Sequence, residues 1–95
     1  MRAIVRDGRL EFFCPGCQTH HGPVIDGTLG WTWNGNVDRP TVQPSILVTW
    51  PKWDGEHRLP DRVCHSFVTD GRIQFLADST HALAGQTVDL PEVEP

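Results

Sequence analysis

Apolar residues alternate with polar ones over short stretches of this chain, and pairs of turn-forming residues separate those stretches. Five glycines follow an aspartate or an asparagine. Such pairs between alternating apolar runs are a strong local signal for a β-hairpin, because they tolerate the positive φ of a tight turn. The pattern therefore predicts a mainly β fold, a small meander or zinc-ribbon-like antiparallel sheet of hairpins. The pairs are Asp7-Gly8, Asp26-Gly27, Asn34-Gly35, Asp54-Gly55 and Asp70-Gly71.

Four of these pairs have apolar alternating flanks. Hairpins are predicted over residues 3–13, 23–33 and 65–77, and the strand that carries Trp31 and Trp33 leads into the Asn34-Gly35 turn. A two-residue turn at Asp70-Gly71 also sets the register of its hairpin, since it places residue 68 opposite residue 73 and residue 64 opposite residue 77.

Two further segments break the alternation. Residues 50–62 are polar, rich in turn residues and bounded by proline, which predicts a surface loop between strands over residues 45–50 and 63–69. In the segment 78–85, Asp78 or Ser79 can cap a first helical turn and Gly85 can end it. We therefore expect at most one short helix, near residues 78–85.

The length of 95 residues corresponds to one domain. We predict a single β-rich metal-binding domain over residues 1–90 and a disordered acidic tail over residues 91–95. A domain of this size buries only slightly more than about 60% of its unfolded surface, so its core is marginal. A bound metal ion would stabilise such a core.

Charge and composition narrow the class of protein. The net charge is −4, with the acidic excess in the second half of the chain and no basic stripe, so nucleic-acid binding is not expected. The three cysteines are an odd number, and the chain shows no secretory leader, which favours a reducing cytoplasm over a disulfide framework. No apolar run approaches the roughly 18 residues of a membrane span.

The sequence Cys14-Pro15-Gly16-Cys17 forms half of a metal site. A C-x2-C arrangement lets two thiolates converge on one cation while the residues between them form a tight knuckle. A structural zinc site needs two more ligands, and Cys64 is the third candidate. We therefore predict that the chain binds a metal ion, with zinc as the expected element.

The fourth ligand is predicted from strand alternation. In the predicted hairpin Cys64 points with the apolar residues, so the next residue, His65, points to the opposite face and cannot reach the same ion. His81 lies beside the end of that hairpin and is the preferred fourth ligand, with Asp78 as a hydrogen-bond acceptor for it. His21, close to the C-x2-C pair, is the competing candidate.

Familiar catalytic motifs do not occur in the sequence. It has no glycine-rich phosphate loop, no G-x-S-x-G elbow and no H-E-x-x-H. Hypotheses of a serine nucleophile or a phosphate site therefore have no motif to support them.

Several longer motifs resemble a family of small phage and prophage proteins of unknown function. The resemblance covers most of the chain outside residues 50–62 and the tail, and it implies a phage accessory protein in a bacterial host cell. Some members carry an ammonia-monooxygenase label, which does not fit a chain without membrane segments. The motifs are CPGC at 14–17, WTWNG at 31–35, PTVQPSI at 40–46 and CHSFVTDGRIQFLADSTHALAGQTVDLP at 64–91.

Two functional hypotheses follow. The favoured one is a noncatalytic module in which zinc, held by the cysteines and a histidine, stabilises a domain that binds a protein partner. The alternative is a metal-dependent hydrolase with an open coordination position, in which Cys64, His65 or His81 holds the metal and Asp78 acts as base or orienter of the bound water.

Overall fold

Eight strands and the turns between them make up the part of the chain that the computed structural model describes, residues 1–27 and 30–94. Within these residues there is no helix, so the predicted mainly β fold of hairpins is confirmed. No described segment provides a helix of the length and hydropathy needed to cross a membrane. The strands are β1 (Ile4–Arg6), β2 (Arg9–Cys14), β3 (Thr19–His21), β4 (Thr32–Trp33), β5 (Val42–Asp54), β6 (His57–Thr69), β7 (Arg72–Phe75) and β8 (Thr87–Asp89).

The strands form two antiparallel sheets. One has the order β1-β2-β3 and the other the order β4-β5-β6-β7-β8. The predicted turns at Asp7-Gly8 and Asp70-Gly71 are confirmed, with φ of 51° and 75° in the first and 51° and 77° in the second. Two positive φ values in succession match the twist of paired strands, which is why Asp-Gly occupies these turns. The predicted register of Val68 opposite Ile73 is also confirmed.

The surface loop predicted over residues 50–62 is wrong. These residues continue β5 and β6 into a long hairpin, in which Asp54 pairs with His57 around a two-residue turn. The hairpin projects as an arm whose faces are both largely exposed, and this exposure explains its polar composition. Arg62 stacks over the Trp50 ring at 5.0 Å and Arg58 over the Trp53 ring at 5.7 Å, and both contacts lie on the arm.

The hairpin predicted over residues 23–33 does not form as a pair of strands. Val24 bridges to Arg9 and Ile25 N donates to the Gly8 carbonyl, so this segment packs against the first hairpin. β4 then pairs with the start of β5 instead. Residues 28 and 29 of that predicted hairpin lie outside the described part of the chain.

The segment 78–85 consists of turns, because its backbone groups bond to neighbouring strands. Thr80 N donates to the Val63 carbonyl at 2.8 Å, and Gly85 N donates to the Phe75 carbonyl at 3.0 Å. Gly85 has φ of 79°, in the left-handed region, and ends the last turn. These contacts attach the segment to β6 and β7.

The core contains the inward-facing residues of both sheets. Along β6, Cys64, Ser66 and Val68 are buried, whereas the residues between them point outward. This alternation places Cys64 in the core and the neighbouring His65 on the outer face of the larger sheet. Further buried members are Ala3, Leu10, Phe12, Cys14, Val42, Ile46, Ile73, Phe75 and Leu90.

Candidate functional site

Three cysteines and one histidine converge at the edge of the core, where Cys14 and Cys64 are buried and Cys17 and His81 are half-buried. Cys14, Cys17, Cys64 and His81 each offer one ligand atom, and these atoms all lie within 4.8 Å of one another. The Sγ atoms of Cys14 and Cys64 are 3.8 Å apart, too far for a disulfide. A zinc ion with Zn–S bonds of about 2.3 Å separates two tetrahedral sulfur ligands by about 3.8 Å. The four side chains that the sequence analysis selected can therefore hold a metal ion together.

The C-x2-C knuckle is shaped for close approach to the histidine. Cys17 N donates to Cys14 Sγ at 3.4 Å, an amide contact that favours a thiolate. A Cβ atom on Gly16 would overlap the His81 ring, so only glycine fits there. The His81 Nε2 atom is buried, with no hydrogen-bond partner in the described residues. Coordination to a cation would satisfy this nitrogen, with the ring proton then on Nδ1, which in this structure accepts a hydrogen bond from Leu83 N at 3.2 Å.

The three cysteine thiols differ in pKa. The hydrogen bond from Cys64 lowers the pKa of Cys14 to about 4, and His21 adds to this effect. Burial raises the pKa of Cys17 to about 11. The hydrogen bond to Cys14, followed by burial, raises the pKa of Cys64. Cys14 is thus the thiol of the three that loses its proton most readily, and a metal ion would displace the protons of the others.

The other histidine candidates lie outside this set of four. His21 is buried, with its ring 5.8 Å from that of Phe12. It lies on β3 and helps to lower the pKa of Cys14. His65 lies on the opposite face of β6, as the alternation argument predicted. Three thiolates and an imidazole form a closed donor set, the kind found in structural zinc sites.

A second group of polar residues lies on that opposite face. The His65 ring stands between a hydroxyl and a carboxylate, with Nε2 at 3.2 Å from Ser45 Oγ. Its Nδ1 lies 3.0 Å and 3.2 Å from the two carboxylate oxygens of Asp78. A hydroxyl, an imidazole and a carboxylate in this order match the arrangement in which serine hydrolases place a nucleophile, a base and the group that orients the base. Ser45 lies in the PTVQPSI motif but was not among the predicted site residues.

Ser45 is placed by an irregularity in β5. The register between β5 and β6 shifts between Val42 and Ile46, and beyond the shift Leu47 pairs with His65. Bulges of this kind re-aim side chains and are frequent beside active sites. The carbonyl of Ser45 accepts a hydrogen bond from Trp31 Nε1 at 3.2 Å, which fixes the backbone on the side of β4.

Asp78 is placed by the segment that follows β7. The Ser79 hydroxyl accepts a hydrogen bond from His65 N at 3.0 Å and donates one to the His65 carbonyl at 3.1 Å. Leu76 N donates to the same carbonyl at 2.8 Å. These backbone contacts hold the segment beside β6, so that the Asp78 carboxylate meets the ring of His65.

This arrangement corrects two expectations. Asp78 contacts His65 and not His81, so it does not serve as an acceptor for the metal-site histidine. The four residues of the hydrolase alternative also do not form one site, because Cys64 and His81 lie in the core cluster whereas His65 and Asp78 pair on the outer face. The side chain of His65 is 25% exposed and that of Asp78 57% exposed, so the outer group is open to solvent.

Comparison with known proteins adds one family. Residues 2–76 match the family described as bacterial ubiquitination-like system serine protease (BubE). The matched range includes Ser45, His65 and the three cysteines, and it ends two residues before Asp78. None of the curated proteins and none of the solved structures matches the chain.

Proposed function

Because the chain belongs to the bacterial ubiquitination-like system serine protease (BubE) family, we propose that it is a serine protease of such a system, with Ser45 as its nucleophile. One observation carries this proposal: the His65 ring bridges Ser45 Oγ and the Asp78 carboxylate at hydrogen-bond distances. The family is shown by the match, and the assignment of roles to these three residues is ours.

In the proposed first half-reaction, Ser45 Oγ attacks the carbonyl carbon of the scissile peptide bond while His65 Nε2 takes the hydroxyl proton. Asp78 accepts the Nδ1–H hydrogen bond, which keeps the ring in the tautomer that leaves Nε2 free to act as base. The C–N bond then breaks, and His65 gives its proton to the leaving amine. The product of this step is an acyl-enzyme ester on Ser45.

The second half-reaction repeats the chemistry with water. His65 Nε2 takes a proton from a water molecule, whose oxygen attacks the ester carbonyl. The bond to Ser45 Oγ breaks, the proton returns to Ser45, and the carboxylic acid product leaves. The only reactants besides the peptide are water and the side chains already in place.

The metal cluster has a different role in this proposal. Cys14, Cys17, Cys64 and His81 would hold a zinc ion that contributes folding energy and takes no part in the reaction. The support is the closed donor set and its position at the edge of the core, away from the outer face. This proposal differs from the favoured hypothesis of a noncatalytic module that binds a protein partner, because it makes the protein an enzyme and keeps only the metal as noncatalytic. The phage or prophage origin stays a prediction.

Two serine variants test the assignment. Ser66 is buried on the same sheet, and its Oγ has no hydrogen-bond partner in the described residues, so Ser66→Ala is the matched control for Ser45→Ala. With p-nitrophenyl acetate as a generic ester probe, Ser45→Ala should lower the rate by about 10³-fold or more, and Ser66→Ala should not change it. Equal rates for the two variants would exclude Ser45 as the nucleophile.

A further inference from the structure

Two large apolar side chains are exposed on the outer face of the larger sheet. Leu47 is 56% exposed and Phe67 is 39% exposed. We call these two residues the apolar pair. An exposed leucine alone requires no explanation, but two such residues beside one group of polar side chains point to a contact surface.

The apolar pair stands directly beside the proposed nucleophile and base. Leu47 is the cross-strand partner of His65, and it follows Ser45 by two positions along β5. Phe67 follows His65 by two positions along β6. Because every second residue of a strand points to the same face, the apolar pair and the two proposed catalytic residues share one surface.

The distances between neighbouring side chains on this surface determine which parts of a bound peptide the apolar pair contacts. Side chains directly opposite each other across two strands have Cβ atoms about 5 Å apart, and same-face neighbours along a strand are about 7 Å apart. A peptide carbonyl at Ser45 Oγ therefore has Leu47 and Phe67 within the length of one side chain. In an extended segment, the side chains next to that carbonyl would meet this pair.

We infer that the enzyme selects extended polypeptide segments that carry a large apolar side chain immediately beside the scissile bond, and that Leu47 and Phe67 provide this selectivity. The inference rests on the proposed function, since it uses the same three residues for cleavage. Asp78 adds a second selectivity, against acidic substrates. Its carboxylate is 57% exposed and 3.0 Å from the His65 ring, so it repels acidic side chains near the scissile bond.

The test is cleavage of a peptide library derived from a bacterial proteome, with sequencing of the new termini. The full chain should cleave beside Leu, Ile, Met or Phe and disfavour Asp and Glu at the same positions. Leu47→Ala and Phe67→Ala should each lower kcat/KM on a selected apolar peptide by about 10- to 100-fold, mainly through KM. Val5→Ala is the matched control, because Val5 is 48% exposed but lies in the other sheet.

A fluorophosphonate reagent distinguishes the reactivity of Ser45 from the selectivity for peptide substrates. It reacts with an activated serine and needs no peptide contact, so Leu47→Ala and Phe67→Ala should be labelled as fast as the unaltered chain. Normal labelling together with cleavage indifferent to the side chain, or with no cleavage of the library, would overturn the inference and leave the nucleophile in place. An absence of labelling would overturn the proposed function itself.

Discussion

Replacing Ser79 by alanine should lower the free energy of unfolding far more than replacing Ser66, the other buried serine, by alanine. Ser79 Oγ makes two hydrogen bonds to the backbone of His65, at 3.0 Å and 3.1 Å. The bond to the carbonyl contributes about 1 kcal/mol net, and leaving the amide without a partner costs about 1–3 kcal/mol. The His65 carbonyl keeps its bond from Leu76 N, so only the amide loses its partner. The expected loss for Ser79→Ala is about 2–4 kcal/mol.

Ser66→Ala provides the comparison at the same substitution chemistry. The Ser66 hydroxyl is buried, and no partner for it exists among the described residues, so its removal should change stability by less than about 0.5 kcal/mol. Urea unfolding followed by tryptophan fluorescence measures both variants. A domain of this size has about 5–14 kcal/mol of stability, so Ser79→Ala remains folded and measurable.

The same variant should also lose activity. Ser79 fixes the segment that carries Asp78 against β6, and without it the carboxylate is no longer held at the His65 ring. The rate on p-nitrophenyl acetate should fall for Ser79→Ala while Ser66→Ala keeps the full rate. Equal urea midpoints and equal rates for the two variants would refute the reasoning, because the hydrogen bonds to His65 would then have no measurable role.

The remaining predictions concern the carboxylate, the metal and the knuckle. Asp78→Asn should lower kcat by about 10²–10³-fold with unchanged stability. This loss is smaller than the roughly 10⁴-fold for a buried triad aspartate, because water can reach the exposed carboxylate. Stopped-flow ester hydrolysis measures kcat, and an unchanged value would exclude Asp78 from the catalytic site. His81→Ala should abolish stoichiometric zinc in mass spectrometry of the native protein, whereas His57→Ala on the exposed arm should retain it; equal zinc contents would exclude His81 as a ligand. A chelator should lower the melting temperature and, with it, the esterase rate; an unmoved melting curve would contradict a structural metal. Gly16→Ala should lower the melting temperature because its Cβ overlaps the His81 ring, and an unchanged value would mean that the knuckle moves freely.

The two hairpins with turns at Asp7-Gly8 and Asp70-Gly71, and the core cluster, could be predicted from the sequence because local rules determine them. Asp-Gly pairs specify two-residue turns, and a two-residue turn sets the register of the strands that it joins. From that register, strand alternation put Cys64 in the core and His65 on the other face. The structure then places His81 beside the three cysteines.

The proposed nucleophile could not be predicted in the same way. Ser45 lies within a shift of the β5 register, between Val42 and Ile46, and no short motif predicts such an irregularity. Asp78 reaches His65 because the backbone of a turn segment bonds to β6, whereas its sequence resembled a helix start. Strand alternation predicted that His65 faces outward. Its contact with Ser45 could not be predicted, because the register of β5 against β6 was not known from the sequence. The arm was missed because its strands lack an apolar face, so the period-two signal is absent.

The central claim is that His65 activates Ser45, and the most direct measurement is the site of fluorophosphonate labelling. Intact-mass and peptide-level mass spectrometry of the treated full chain should show one adduct, on Ser45, and His65→Ala should lose it although Ser45 is still present. Ser66 and Ser79 should stay unmodified. A chain that takes up no reagent, or one whose label lies on another residue, would contradict the account.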